Sequence, residues 1–144
     1  MICGANLSIC IRTMTVNSTI DRANKRTKVL VLEGARGNAV MIEVLIRAKF
    51  EVIHARDPDE AWAMLQAGED VDVLLADIDL PGAIRGVELG RYVHDRWPAL
   101  GLVLTSDQVR HLRPDEVPDD ACFLPKPVPT DTLLAEIRLA VRRP

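Results

Sequence analysis

The sequence predicts an α/β fold, a doubly wound five-stranded parallel sheet, and three observations carry that prediction. Short apolar runs, beginning with Val29-Leu30-Val31-Leu32, recur along the chain, as expected of strands covered on both faces. Segments with apolar residues at helical spacing alternate with these runs, which implies right-handed strand–helix–strand units. The length of 144 residues suits one domain with a sizeable core and leaves no room for a second of ordinary size.

The elements follow in order. Residues 1–27 lack sustained periodicity and are rich in Asn, Thr, Ser and Arg. They read as a poorly ordered arm, or as the product of an upstream start codon with Met14 as the true first residue. The domain itself is expected over residues 28–143. After the first strand, Val40, Met41, Val44, Leu45 and Ala48 mark a helix over residues 38–49. Residues 50–55 form a second strand. Asp57 caps a helix that has Pro58 in its first turn, runs through Leu65 and ends before Gly68. Residues 71–76 make the third strand. Residues 87–96 make a helix stopped by Trp97-Pro98, because the residue before a proline leaves the α region. Residues 100–104 and 121–124 are the last two strands, and residues 131–142 the closing amphipathic helix, capped by Thr130 or Asp131. Between the last two strands stand Pro114, Pro118 and few apolar residues, so the fourth helix is expected to be degraded to a turn or loop. Five strands with helices on both faces give the flavodoxin-like order 2-1-3-4-5, whose crevice lies beyond the carboxyl ends of the strands.

Composition narrows the function. A formal net charge of −3 and few aromatics give no basic stripe or stacking platform, so no nucleic acid is expected as partner. No apolar run is long enough to span a bilayer, and the N-terminus lacks a signal-peptide core, so no membrane is expected either. Cys3, Cys10 and Cys122 are odd in number and irregular in spacing, which fits a reducing cytoplasm better than a disulfide or zinc framework. His54, His94 and His111 are scattered, Trp62 and Trp97 read as helix packing, and Arg138, Arg142 and Arg143 read as a solvated helix end. There is no P-loop and no dinucleotide fingerprint.

The strand ends hold the chemistry. Glu33-Gly34 closes the first, Asp77-Ile78-Asp79 the third, Thr105-Ser106 the fourth, and the fifth leads into Lys126-Pro127. Carboxylates, a hydroxyl and an ammonium converging on one edge suit a phosphoryl site. A carboxylate can form an acyl phosphate, oxygen ligands can hold Mg²⁺, and a lysine and a threonine can bind phosphoryl oxygens.

Taken together, Val29-Leu30-Val31-Leu32-Glu33, Asp77-Ile78-Asp79-Leu80-Pro81-Gly82, Thr105-Ser106 and Phe123-Leu124-Pro125-Lys126-Pro127 resemble the motif set of response-regulator receiver domains, in order and over residues 28–142. The resemblance implies a single-domain switch in two-component signalling, not an enzyme, with Asp77 as phosphoacceptor from a histidine kinase or phosphotransfer protein. It implies Thr105 and Lys126 as phosphoryl-binding residues, and Thr105 with Phe123 as the switch pair. Glu33, Asp77 and the carbonyl of Asp79 would form the Mg²⁺ pocket, Ser106 would fill the small position beside the phosphoryl group, and the Lys126-Pro127 bond would be cis. Output would pass through contacts with a downstream protein, and whether the chain forms a homodimer is left open.

Three departures stand against that pattern. The family usually carries a second acidic residue where this chain has Gly34, which removes a charged ligand from a hard cation. The side chain of Asp79 is the candidate substitute. Arg85 stands where a carboxylate often precedes a glycine, and reads as a surface change. The degraded fourth helix alters a face that docks partners in similar proteins. Two rival readings follow: a phosphorylation-impaired pseudo-receiver that acts as a binding module, and a small flavodoxin-like enzyme or cofactor carrier. The second is disfavoured because the strand-end loops lack a phosphate cradle for flavin.

Overall fold

The computed structural model describes residues 26–142. Most of the expected arm, with Cys3, Cys10 and Met14, lies outside the described residues, as does Arg143. The described chain runs β1 (Lys28–Leu32), α1 (Ala35–Arg47), β2 (Glu51–Ala55), α2 (Pro58–Gln66), β3 (Val73–Asp77), α3 (Gly86–Arg96), β4 (Gly101–Ser106), β5 (Cys122–Pro125) and α4 (Thr130–Arg142). All strand pairings are parallel and the order is β2-β1-β3-β4-β5, as the sequence predicts.

Strand residues alternate between two cores. Leu30, Leu32, Leu74, Ala76, Leu102 and Leu104 face one side, where Ala61 and Leu65 of α2 and Leu89 and Val93 of α3 cover them. Val29, Val31, Val73, Leu75 and Val103 face the other, against Leu45 of α1 and Leu133, Ile137 and Ala140 of α4. This is the period-two alternation of a sheet covered on both faces. Complete burial of a side chain such as Leu104 contributes about 1.5–3 kcal/mol. Trp62 and Trp97 pack edge to face at 5.4 Å and 65°, with Tyr92 at 6.0 Å from Trp62, so the tryptophans tie α2 to α3.

Several boundaries differ from the sequence reading, each for a local reason. Helix α1 begins at Ala35 rather than residue 38, because extended Gly34 already serves as its N-cap. Phe50 precedes β2 instead of opening it. Its ring is buried in the second core and carries the Arg138 guanidinium at 5.8 Å, so Arg138 is not merely solvated. Strand β3 starts at Val73, and just before it the Asp72 carboxylate accepts from the Lys28 backbone N–H at 2.8 Å. Asp57 does cap α2, its carboxylate accepting from Glu60 N at 2.8 Å. Beyond the Ala48 cap of α1, Lys49 takes the left-handed region, φ 73°, and Phe50 N–H reaches back to Leu45 O at 3.1 Å. Helix α3 starts one residue early, at Gly86, where a Cβ would lie 2.4 Å from the Ile78 Cα. Residues 107–121 form only bends and turns, as Pro114 and Pro118 dictate.

Candidate functional site at the carboxyl edge

Strand register brings the predicted residues together. Asp77 pairs with Thr105, Leu32 with Ala76, and Ser106 with Pro125, so Glu33, Asp77, Thr105 and Lys126 emerge at one level of the sheet. Lys126 N–H donates to Ser106 O at 2.8 Å, and the Lys126-Pro127 peptide is cis.

The Lys126 ammonium is the centre of the site. It hydrogen-bonds Glu33 Oε1, lies 2.9 Å from Asp77 Oδ2, and reaches within 3.8 Å of Asp107 Oδ2. Glu33 is 3% exposed and Asp77 6%, so both carboxylates are withdrawn from water. Burial pushes the Glu33 carboxyl above its ordinary value of 4.5; the hydrogen bond and charge of Lys126 oppose this, and the adjacent Asp77 adds to it. Burial also works against the Lys126 ammonium, but its hydrogen bonds to Glu33 and Asp77, and their charges, outweigh it and hold the group above 10.5. Among the described residues, Glu33 Oε2 is the buried side-chain oxygen without a hydrogen-bond partner. The ring of His54 donates from Nε2 to the Glu33 carbonyl at 3.2 Å and so steadies that strand end.

Asp79 faces the other way. Its backbone N–H donates to Asp77 Oδ1 at 2.8 Å. Its carboxylate accepts from Ser106 Oγ at 2.8 Å, from Asp107 N at 2.8 Å and from Gln108 N at 3.3 Å. Ser106 Oγ in turn accepts from Val109 N at 2.9 Å. Thr105, expected from the sequence to bind a phosphoryl group, is fully buried, with its hydroxyl 3.5 Å from the Ala76 carbonyl. Phe123 is half-buried against the first core, and Arg85 is exposed.

Of the expected metal set, Asp77 and Asp79 belong to a group whose ligand oxygens lie within 4.8 Å of one another, and the third member is Asp107, not Glu33. Sequence reading missed Asp107, although it stands two residues beyond Thr105 at the same strand end. It also missed Asp59 on α2, whose carboxylate accepts from Ala83 N at 3.0 Å and Ile84 N at 3.1 Å and thereby fixes the loop between β3 and α3. A cavity of about 690 Å³ opens over the site. Glu33, Gly34, Asp77, Asp107 and Lys126 form its polar end, and Met41, Val44, Val128 and Leu133 are among its apolar walls.

Oxygen donors alone, and a buried carboxylate oxygen left without a partner, fit a hard divalent cation such as Mg²⁺. No helix among the described residues is long and apolar enough to cross a membrane.

No protein-family model matches the sequence, and no curated protein matches it. Solved structures do match. The chain is similar to a CheY-like response regulator receiver domain protein from Methanospirillum hungatei, with a TM-score of 0.70 and 20% identity over 81% of this chain and 94% of that one. It is similar to the chemotaxis protein CheY4 of Vibrio cholerae, with a TM-score of 0.67 and 21% identity over 81% and 99%. A receiver domain from Clostridium thermocellum gives 0.67 and 22% over 81% and 95%. Strand order, helix placement and these likenesses agree: the chain has the CheY-like receiver fold of response regulators.

Proposed function

We propose that the chain is a cytoplasmic phosphoryl receiver, in which Asp77 accepts a phosphoryl group from a phosphohistidine of a partner kinase or phosphotransfer protein. The observation that carries this reading is the Lys126 ammonium held 2.9 Å from Asp77 Oδ2 at the carboxyl edge of the sheet. An Asp77 carboxylate oxygen attacks phosphorus in line, the P–N bond breaks, and the leaving imidazole takes up a proton. Lys126 offsets charge on the phosphoryl oxygens. Mg²⁺, when bound by Asp77 and Asp79 with Glu33 nearby, would add Lewis-acid stabilisation of the same charge. Thr105 must turn from the Ala76 carbonyl to reach a phosphoryl oxygen, and Phe123 packs into the space this opens. That is a shift between two packings, read by a downstream protein.

Gly34 favours a second reading, a pseudo-receiver that keeps the fold as a binding module. Incubation with Mg²⁺ and acetyl phosphate separates the two. A receiver gains a base-labile phosphoryl adduct by intact mass spectrometry, and Asp77→Asn abolishes it. No adduct at millimolar Mg²⁺ overturns the receiver reading in favour of the binding module.

A further inference from the structure

Gly34 leaves the first strand end without the second acidic residue, yet the site still collects an excess of carboxylates around one ammonium. Glu33 is not the replacement: its Oε1 is taken up by Lys126, and it lies outside the group of close oxygens that Asp77, Asp79 and Asp107 form. Asp107 is differently placed. Its side chain is 67% exposed, and among the described residues its ion-pair contact is Lys126 at 3.8 Å. Its backbone N–H is fastened to Asp79 Oδ2 at 2.8 Å, which sets the two carboxylates side by side. One oxygen each from Asp77, Asp79 and Asp107 lies within 4.8 Å of the others. Oxygens bound to Mg²⁺ at about 2.1 Å stand at most about 4.2 Å apart, so closing on the ion needs only small side-chain rotations.

A second, independent observation comes from the cavity that Asp77 and Asp107 line. Glu33 Oε2 is buried and unpartnered, and Glu33 lines the same cavity as Asp77, Asp107 and Lys126. An orphaned buried carboxylate oxygen is costly. Water carried in on a cation would give it a donor.

We propose that Asp107 supplies the carboxylate that Gly34 lacks, so that a divalent cation is held by Asp77, Asp79 and Asp107 on the β3–β4 side of the pocket. The choice of cation rests on the receiver reading, but the binding itself requires no phosphoryl donor. Because Asp107 opens the segment 107–121, the ion would also grip the start of that segment.

The test uses the full chain after chelation. Mg²⁺ is titrated calorimetrically into wild type and Asp107→Asn, and Mn²⁺ is added to the wild type as a paramagnetic probe of amide resonances. Expected are Mg²⁺ binding weakened about tenfold or more in the variant, and Mn²⁺ broadening centred on residues 77–79 and 105–108. Equal affinity in the variant, broadening centred on Glu33 and Gly34 instead, or no binding at millimolar Mg²⁺ overturns the proposal. The Mn²⁺ map needs no variant, so a folding defect in Asp107→Asn does not blunt the test. A chain that binds Mg²⁺ through Asp107 but takes no phosphoryl group refutes the receiver reading alone. A chain phosphorylated on Asp77 whose Mg²⁺ affinity ignores Asp107 refutes this proposal alone.

Discussion

Replacing Lys126 with methionine keeps the stem of the side chain and deletes its charge, which leaves Glu33 and Asp77 as adjacent buried carboxylates. Removing one partner of a fully buried ion pair costs about 3–5 kcal/mol. Here the Lys126 side chain is 16% exposed and a cavity opens beside it, so the expected loss is about 2–3 kcal/mol near pH 7.5. The sign of the pH dependence follows from proton binding. Without the ammonium, nothing offsets the burial that raises the Glu33 carboxyl, so the folded variant keeps a proton on Glu33 that the unfolded chain, with a glutamate near 4.5, releases. Stability of the variant therefore falls as pH rises above about 5, and below that its deficit shrinks to about 1 kcal/mol or less. Wild type shows the same direction more weakly, because burial already holds Glu33 above its ordinary value. The Lys126 contribution to wild type persists until pH climbs past 10.5 toward its raised value. Urea unfolding in chelator, followed by Trp62 and Trp97 fluorescence, reads the effect from a cluster that joins α2 and α3. Adding Glu33→Gln to the variant should recover most of the loss near pH 7.5. A deficit that is flat with pH, or one that Glu33→Gln leaves untouched, refutes the idea that Lys126 is there to hold two carboxylates together.

Asp59→Ala removes two acceptors from the loop before α3; it should cost about 1–2 kcal/mol and speed hydrogen exchange at Ala83 and Ile84 above all. Lys49→Gly relieves a left-handed residue at the end of α1 and should raise stability by about 1 kcal/mol in urea unfolding. Gly34→Asp should tighten Mg²⁺ binding about tenfold by calorimetry, since its Cβ meets only the movable Leu80 Cδ2 at 3.2 Å.

What the sequence made legible were the features that repeat. The strands show because burial on both faces forces continuous apolar runs, as at Val29–Leu32 and Val73–Ala76. The break between β4 and β5 shows because Pro114 and Pro118 are incompatible with a helix interior. The gathering of Glu33, Asp77 and Lys126 follows from strand ends meeting in a parallel sheet. Direction of side chains was not legible. Nothing in the chain order tells that Glu33 turns to Lys126, that Thr105 faces Ala76, or that Asp79 reaches across to β4. Asp107 and Asp59 escaped notice because each sits in a polar stretch where acidic residues are ordinary. Their partners lie on other elements, and no spacing rule links the two.

The span from Asp107 to Ala121 has only isolated turns within it, Glu116 N to Arg113 O at 2.9 Å and Ala121 N to Pro118 O at 3.1 Å, and no continuous ladder of backbone bonds to resist change. It is pinned from outside, by Asp79 and Ser106 at its start, by Arg91 at the Asp115 carbonyl, and by Arg110 to the carbonyl of Lys126. Untying a few such pins frees the whole stretch while the five strands stay intact, so amide exchange there should run at a free energy far below that of the sheet. A helix in this position would have to melt or tilt as a unit, whereas this strap can be released one fastening at a time.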